Sequence, residues 1–138
     1  MRYMIIVKAT KDSEAGMMPP EFLLKAMADY HEELAKAGVL LDGSGLHPSV
    51  KGWRIKYQGG KRTMVDGPFT ETKELIAGYT LIQVKSEDEA REWTRRFPNP
   101  ALADGEIEVR RLFELEDFAP SPSIERVREM ERTPQKSS

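Results

Sequence analysis

The residues whose types could do chemistry are Asp66, His31 and His47, and the first stands in the densest cluster of the chain. Val65-Asp66-Gly67-Pro68-Phe69-Thr70-Glu71-Thr72-Lys73-Glu74 packs a carboxylate, a Gly-Pro bend, an aromatic ring and a run of charges into ten residues. A carboxylate at a strand end, on backbone that a bend holds in place, is what a general base requires. Gly67 lets the chain turn, while Pro68 restricts Gly67 and removes a donor. Phe69 would anchor the loop by burying its ring, a contribution of about 1.5–3 kcal/mol. The competing reading is an aspartate that caps a turn by accepting a backbone amide two residues on. On the first reading Asp66 faces a cleft, and Glu71 to Glu74 form the solvated outer part of the loop.

His31 is the natural proton partner. It falls beside the Met27 and Leu34 rows of a helix, at the edge of the stripe that faces the core, where its imidazole can reach a carboxylate at a strand end. His47, between Leu46 and Pro48, is an alternative that would face the cleft. Arg54 with Lys73 is a pair suited to a carboxylate substrate, and Phe69 is a candidate wall of the same site. Against these stand plainer readings: an idle helix-edge histidine, and a solvated turn whose ion pairs contribute little. Trp53, Tyr79 and Trp93 read as core. Two histidines and scattered carboxylates give no metal-ligand spacing. No phosphate-binding glycine loop, nucleophile elbow or cofactor fingerprint occurs, so a cofactor-free reaction is expected.

The elements that must position these residues follow from the pattern. Tyr3 to Ala9 is an apolar, β-branched run suited to a central strand. Thr10 to Met18 reads as a loop. Pro19-Pro20 opens a helix whose stripe is Phe22, Ala26, Tyr30 and Leu34, with Leu23 and Met27 beside it, ended by Gly38. Glu21 with Lys25 and Glu32 with Lys36 are spaced for ion pairs. A strand from Val39 to Leu41 is interrupted by Asp42-Gly43-Ser44-Gly45. Trp53, Ile55 and Tyr57 alternate with Arg54 and Lys56 as a half-buried strand, and Gly59-Gly60 turns it into a hairpin. Ile76 to Val84 is a strand, Ser86 and Glu89 cap a second helix through Ala90, Trp93 and Phe97, and Glu106 to Phe113 is the last strand.

The order β-α-β-β-β-β-α-β, with the Trp53 hairpin set aside, is the split β-α-β of an α+β, ferredoxin-like fold with an antiparallel sheet. Two amphipathic helices cover one sheet face; the other is too apolar to stay wet, which predicts a homodimer through that face. We expect one domain over residues 1–118, then a short helix carrying Ile124, Val127 and Met130, and a disordered tail, over 119–138.

Composition sets the outer limits. The chain has 138 residues, 39% apolar and 32% charged, with a formal charge of −2. From Glu114 onward there are six acidic and four basic residues, leaving 17 of each sign before it. A neutral body has no electrostatic footprint for nucleic acid or an anionic membrane. No apolar run approaches the roughly 18 residues of a membrane span. The first residues show no cleavage-site pattern. With no cysteine, disulfide and thiolate chemistry are excluded, and a cytoplasmic location is expected.

Asp66-Gly67-Pro68-Phe69 followed by Glu71-Thr72-Lys73-Glu74 resembles the signature of the YCII-related family, in the branch named for its Asp-Gly-Pro-Phe motif. The likeness extends to Gly45-Leu46-His47-Pro48, Glu87-Asp88-Glu89-Ala90 and Ile107-Glu108-Val109-Arg110, and spans residues 1 to 118. The resemblance implies a dimeric α/β barrel, two ferredoxin-like sheets facing each other, with a small-molecule cleft in each subunit. It also implies acid–base chemistry through a His-Asp pair and a link to extracytoplasmic-function sigma factors. Two functions of different class follow. One is a lyase- or isomerase-type enzyme that abstracts a proton or eliminates, with Asp66 as base and His31 as partner. The other is a non-catalytic ligand-sensing or regulatory protein.

Overall fold

A computed structural model of the chain describes residues 1–133. The expected tail beyond Thr133 lies outside the described residues. The strands are β1 (Arg2–Lys8), β2 (Leu40–Gly45), β3 (Trp53–Gln58), β4 (Lys61–Asp66), β5 (Ile76–Gln83) and β6 (Ile107–Arg111); the helices are α1 (Lys11–Glu14), α2 (Glu21–Lys36), α3 (Glu87–Arg95) and α4 (Pro122–Arg132). Four strands form one sheet in the order β2-β5-β1-β6, with every neighbouring pair antiparallel. The strand after the hairpin inserts between β1 and β2, which is the split β-α-β arrangement. β3 and β4 form a separate two-stranded sheet.

Strand alternation assigns the two sheet faces. Tyr3 and Ile5 on β1, with Thr80 and Ile82 on β5, point to the helix layer and are buried. There they meet Tyr30 and Leu34 of α2 and Ala90 of α3, with Trp93, Phe97, Ile107 and Val109 packed around them. Ile5, Leu34 and Ile82 are the fully buried large side chains. The opposite face pairs Met4 with Leu81 and Ile6 with Tyr79. These four are half-buried in the single chain.

The elements depart from the sequence expectations where local chemistry competes with pattern. Residues 11–14 form a helical turn, because Thr10 and Ser13 cap each other reciprocally. In α2 the inward stripe is Leu23, Tyr30 and Leu34, while Phe22 is 68% exposed. A spacing of four drifts around a 3.6-residue helix, and mixed steps of three and four hold the core. Lys25 pairs with Asp29 rather than Glu21, and Lys36 pairs with Glu32. β2 is one strand through both glycines, with a bulge between Leu40 and Asp42. The hairpin turns at Gly59 and Gly60, whose φ values of +55° and +77° need glycine. Its large apolar side chains Trp53, Ile55, Tyr57 and Met64 are exposed rather than half-buried.

Candidate functional site

His31 lies in the last half of α2, pressed against the sheet. Its Nδ1 is 2.8 Å from the Met27 carbonyl, and its Nε2 is 2.8 Å from the Thr80 hydroxyl. A carbonyl only accepts, so Nδ1 carries the proton. In the neutral ring the lone pair is therefore on Nε2, where the Thr80 hydroxyl donates to it. Thr80 is 2% exposed, so its hydroxyl has little access to water. Tyr30 and Phe97 stand edge-on to the imidazole, with centroids 5.8 and 6.4 Å away. Tyr30 donates to the Trp93 carbonyl at 2.7 Å, and burial pushes its phenol up to about 12. On the edge strand β2, Gly43 faces this pair: a Cβ there would stand 3.5 Å from Nε2 and 3.6 Å from the Thr80 hydroxyl. Glycine at 43 leaves that approach to the nitrogen unfilled.

Asp66 closes β4 opposite Trp53, on the exposed face of the hairpin. Its carboxylate makes no hydrogen bond or ion pair among the described residues. A turn-capping role is closed to it locally: the residue two on is Pro68, which has no N–H, and the Phe69 amide donates to Ser49 Oγ at 2.9 Å. Expected to face inward, Asp66 is exposed in the single chain.

The loop after Asp66 is held by a latch that begins far away in sequence. Glu14 of α1 accepts from the Ser49 amide at 3.0 Å and from the Ser49 hydroxyl at 2.5 Å, and Ser49 Oγ in turn accepts from Phe69. The Gly67 amide donates to the Gly52 carbonyl at 2.9 Å. A Cβ on Gly67 would lie 1.9 Å from the Ser49 carbonyl oxygen, so only glycine fits. The Gly67–Pro68 peptide is cis. Phe69 is half-buried, and the Arg54 guanidinium covers its ring at 3.8 Å from the centroid. The ring is thus covered on one face by a cation, not sunk in an apolar core. Tyr79, on the open sheet face, donates to Asp42 at 3.0 Å, and this bond raises its pKa.

The sequence candidates therefore fall into two groups. Arg54, Asp66 and Phe69 share the hairpin and its loop, and Ser49 brings the segment that follows His47 against them. His47 and Lys73 are exposed. His31 belongs to the helix–sheet layer, and its ring nitrogens bond Met27 and Thr80 rather than Asp66. Sequence reasoning missed Glu14, Ser49 and Thr80. Only Thr80 left a signal, a hydroxyl on the buried side of an apolar strand.

Comparison with known proteins finds the same family. The YCII-related domain family model matches residues 1–116. An uncharacterised protein of Rhizobium meliloti (strain 1021) is 32% identical over 92 residues, which covers 67% of this chain and 74% of that protein. Among solved structures, 5-chloro-2-hydroxyhydroquinone dehydrochlorinase (TftG) from Burkholderia phenoliruptrix AC1100, in complex with 2,5-dihydroxybenzoquinone, matches at a TM-score of 0.46 and 16% identity. The match covers 82% of this chain and 94% of that one.

Proposed function

The chain belongs to the YCII-related family, and we propose that it is a cofactor-independent acid–base enzyme acting on a small carbonyl compound, by proton abstraction or elimination. The observation that carries this reading is the state of His31. The Met27 carbonyl fixes its tautomer, so the basic lone pair sits on Nε2, beside the space that Gly43 leaves open at the sheet edge. The Met27 carbonyl holds the ring and its tautomer in place, and to take a proton Nε2 gives up only the bond from the Thr80 hydroxyl. Asp66 supports the reading because its carboxylate has no structural task, while its neighbours Gly67 and Phe69 are each bound in place. In this scheme Asp66, beside Arg54 and Phe69 on the hairpin loop, is a second acid–base group that makes no contact with His31 in the single chain, and Lys73 and His47 meet the substrate's polar groups. A homodimer formed through Met4, Ile6, Tyr79 and Leu81, in the cytoplasm, completes the assembly.

The test is solvent deuterium exchange. The protein, with a panel of α-keto acids and cyclic enones in deuterium oxide, is expected to incorporate deuterium next to the carbonyl of at least one compound, followed by NMR. His31→Gln and Asp66→Asn should each abolish exchange while the chain stays folded, and Gly43→Ala should slow it by placing a methyl group against Nε2. Exchange that survives His31→Gln, or none across the panel, would overturn the assignment.

A second reading has its own observation. Both ring nitrogens of His31 are satisfied inside the fold, as in a structural histidine, which suits a non-catalytic ligand-sensing or regulatory protein serving a sigma factor. Copurification with a sigma factor, lost on removing residues 119–138, would favour it.

A further inference from the structure

The hairpin is the part of the chain that the fold leaves uncovered. β3 and β4 pair only with each other, and an isolated two-stranded hairpin is marginal in water. Yet one side of it carries Trp53, Ile55, Tyr57 and Met64, which are 61%, 45%, 68% and 66% exposed. The register opposes Ile55 to Met64 and Tyr57 to Arg62, so these side chains form one contiguous face. With ordinary side-chain areas that face amounts to on the order of 400 Å² of apolar surface, the size at which a patch marks an interface. The charge of the arm is mainly positive, with Arg62 opposite Tyr57 and Asp66 opposite Trp53 on the aromatic side and Arg54, Lys56 and Lys61 on the other. Between residues 53 and 66 it holds Arg54, Lys56, Lys61 and Arg62 against Asp66 alone. None of these four cations is in an ion pair among the described residues.

The same chain bears a surface with the opposite character. After β6, Phe113 and Phe118 are 74% and 44% exposed, with ring centroids 5.1 Å apart. Glu114, Glu116 and Asp117 lie between them; Glu114 pairs with Arg2 at 3.0 Å and Glu116 with Arg128 at 3.5 Å, the latter on an exposed side chain free to exchange partners. No hydrogen bond or ion pair joins the arm to this segment within one chain, among the described residues. A molecule that carries both halves of a complementary contact, without joining them internally, has what a two-fold interface requires.

We infer that a second copy of this chain covers the arm. The basic, aromatic hairpin of one protomer lies on the acidic Phe113–Phe118 segment of its partner, and the partner's hairpin returns the contact. Each strand of the arm has six residues and reaches about 20 Å, long enough to cross a subunit boundary. This exchange is separate from contact between the open sheet faces, and it puts Asp66, opposite Trp53, at the end of the covered side. A basic arm with exposed aromatics also suits a single nucleic-acid strand; the exposed Phe113–Phe118 pair on the same molecule, flanked by Glu116 and Asp117, favours a second copy.

The experiment measures self-association of the full chain by sedimentation across a concentration series. The double variant Ile55→Ser with Tyr57→Ser is expected to weaken the dimer about tenfold or more, as loss of an aromatic anchor does. Arg62→Glu should weaken it as well, and Glu116→Lys added to the same chain should restore it. Because the chain has no cysteine, Tyr57→Cys and Phe118→Cys can be made as two single variants and mixed under oxidising conditions. A disulfide-linked hetero-product is expected, and this readout does not depend on the serine variants folding well. Three results would each overturn the inference: a dimer unaffected by the arm variants with no cross-link; a chain that stays monomeric at high micromolar concentration; or a fluorescent thymidine oligonucleotide that binds the native chain and not the double variant. A dimer that ignores the arm but breaks on Leu81→Arg would reject the exchange and leave the sheet-face contact standing.

Discussion

Gly67→Ala is the substitution on which the account of the loop depends most directly. Gly67 does not have a positive φ, so an added methyl group meets no backbone penalty and the question is one of space alone. The new Cβ would stand 1.9 Å from the Ser49 carbonyl oxygen and 2.7 Å from its carbon. These are backbone atoms, and the oxygen would have to retreat by more than 1 Å to regain even a 3.0 Å contact. The Ser49 that must move is the residue that Glu14 grips twice and that receives the Phe69 amide. Overpacking of this kind costs about 1–3 kcal/mol. Loss of the bonds from Gly67 to Gly52 and from Phe69 to Ser49, both 2.9 Å, adds about 0.5–1.5 kcal/mol each. A total of roughly 2–6 kcal/mol follows from these two ranges. The hairpin shares little with the main sheet, so the cost should appear first as local opening. Amide exchange at Phe69 should speed up by about 30-fold or more, the factor that 2 kcal/mol implies. Gly45→Ala is the control: its Cβ would find nothing nearer than the Ala77 carbonyl oxygen at 4.0 Å, and a change within about 0.5 kcal/mol is expected. If Gly67→Ala leaves the Ser49 and Phe69 amides where they are, with exchange as slow as in the control, the latch is wrong.

Thr80→Val should destabilise the chain by about 1–3 kcal/mol in chemical denaturation, since it leaves the His31 ring nitrogen without its partner, while Thr80→Ser should recover most of that loss. Acid provides a separate check. The hydrogen bonds and charge of Arg2 hold the Glu114 carboxyl below its ordinary value of 4.5. Its contribution is therefore present above pH 4.5 and is lost as the pH falls through the lowered value in the folded chain. The pair is partly exposed, so the term is about 1 kcal/mol at most. The difference in melting temperature between the native chain and Glu114→Gln should be visible at neutral pH and vanish in strong acid.

The frame of the fold could be read from the chain because its signals are local and periodic. The Tyr3–Ala9 run, the Pro19-Pro20 start and Gly38 stop of α2, and the alternation in Ile76–Val84 each reflect a neighbour a few residues away. Thr80 and Ile82 fell on the buried side as alternation required. The hairpin broke the rule in an instructive way. Trp53, Ile55 and Tyr57 alternate like a half-buried strand, but alternation reports only that one side is apolar, not that the chain itself supplies a cover. The latch was illegible for a different reason. Glu14 and Ser49 are 35 residues apart, and hydrogen bonds between such distant residues leave no spacing to count. Phe69 likewise read as a hydrophobic anchor, whereas its ring is held by the cation of Arg54. Sequence reveals that an aromatic must be covered before it reveals by what.

The structural tasks of Gly67 and Phe69 change what remains to be explained in the Asp66 stretch. Gly67 is required by the Ser49 carbonyl, and Phe69 gives its amide to Ser49 and its ring to Arg54. Those constraints fix the path of the loop without using the carboxylate at its start. A side chain that stabilises nothing, at the foot of a rigidly latched turn, is poorly explained by folding alone, because an alanine there would fold as well. His31 presents the opposite case, with every polar atom used and its neighbours chosen for it. The two residues therefore make opposite predictions for stability. Asp66→Ala should leave the melting temperature nearly unchanged, whereas His31→Ala should lower it, by stranding the Thr80 hydroxyl in a site that is 2% exposed. A large loss of stability on removing Asp66 would mean that its carboxylate does structural work after all, and the case for it as an acid–base group would fall with that result.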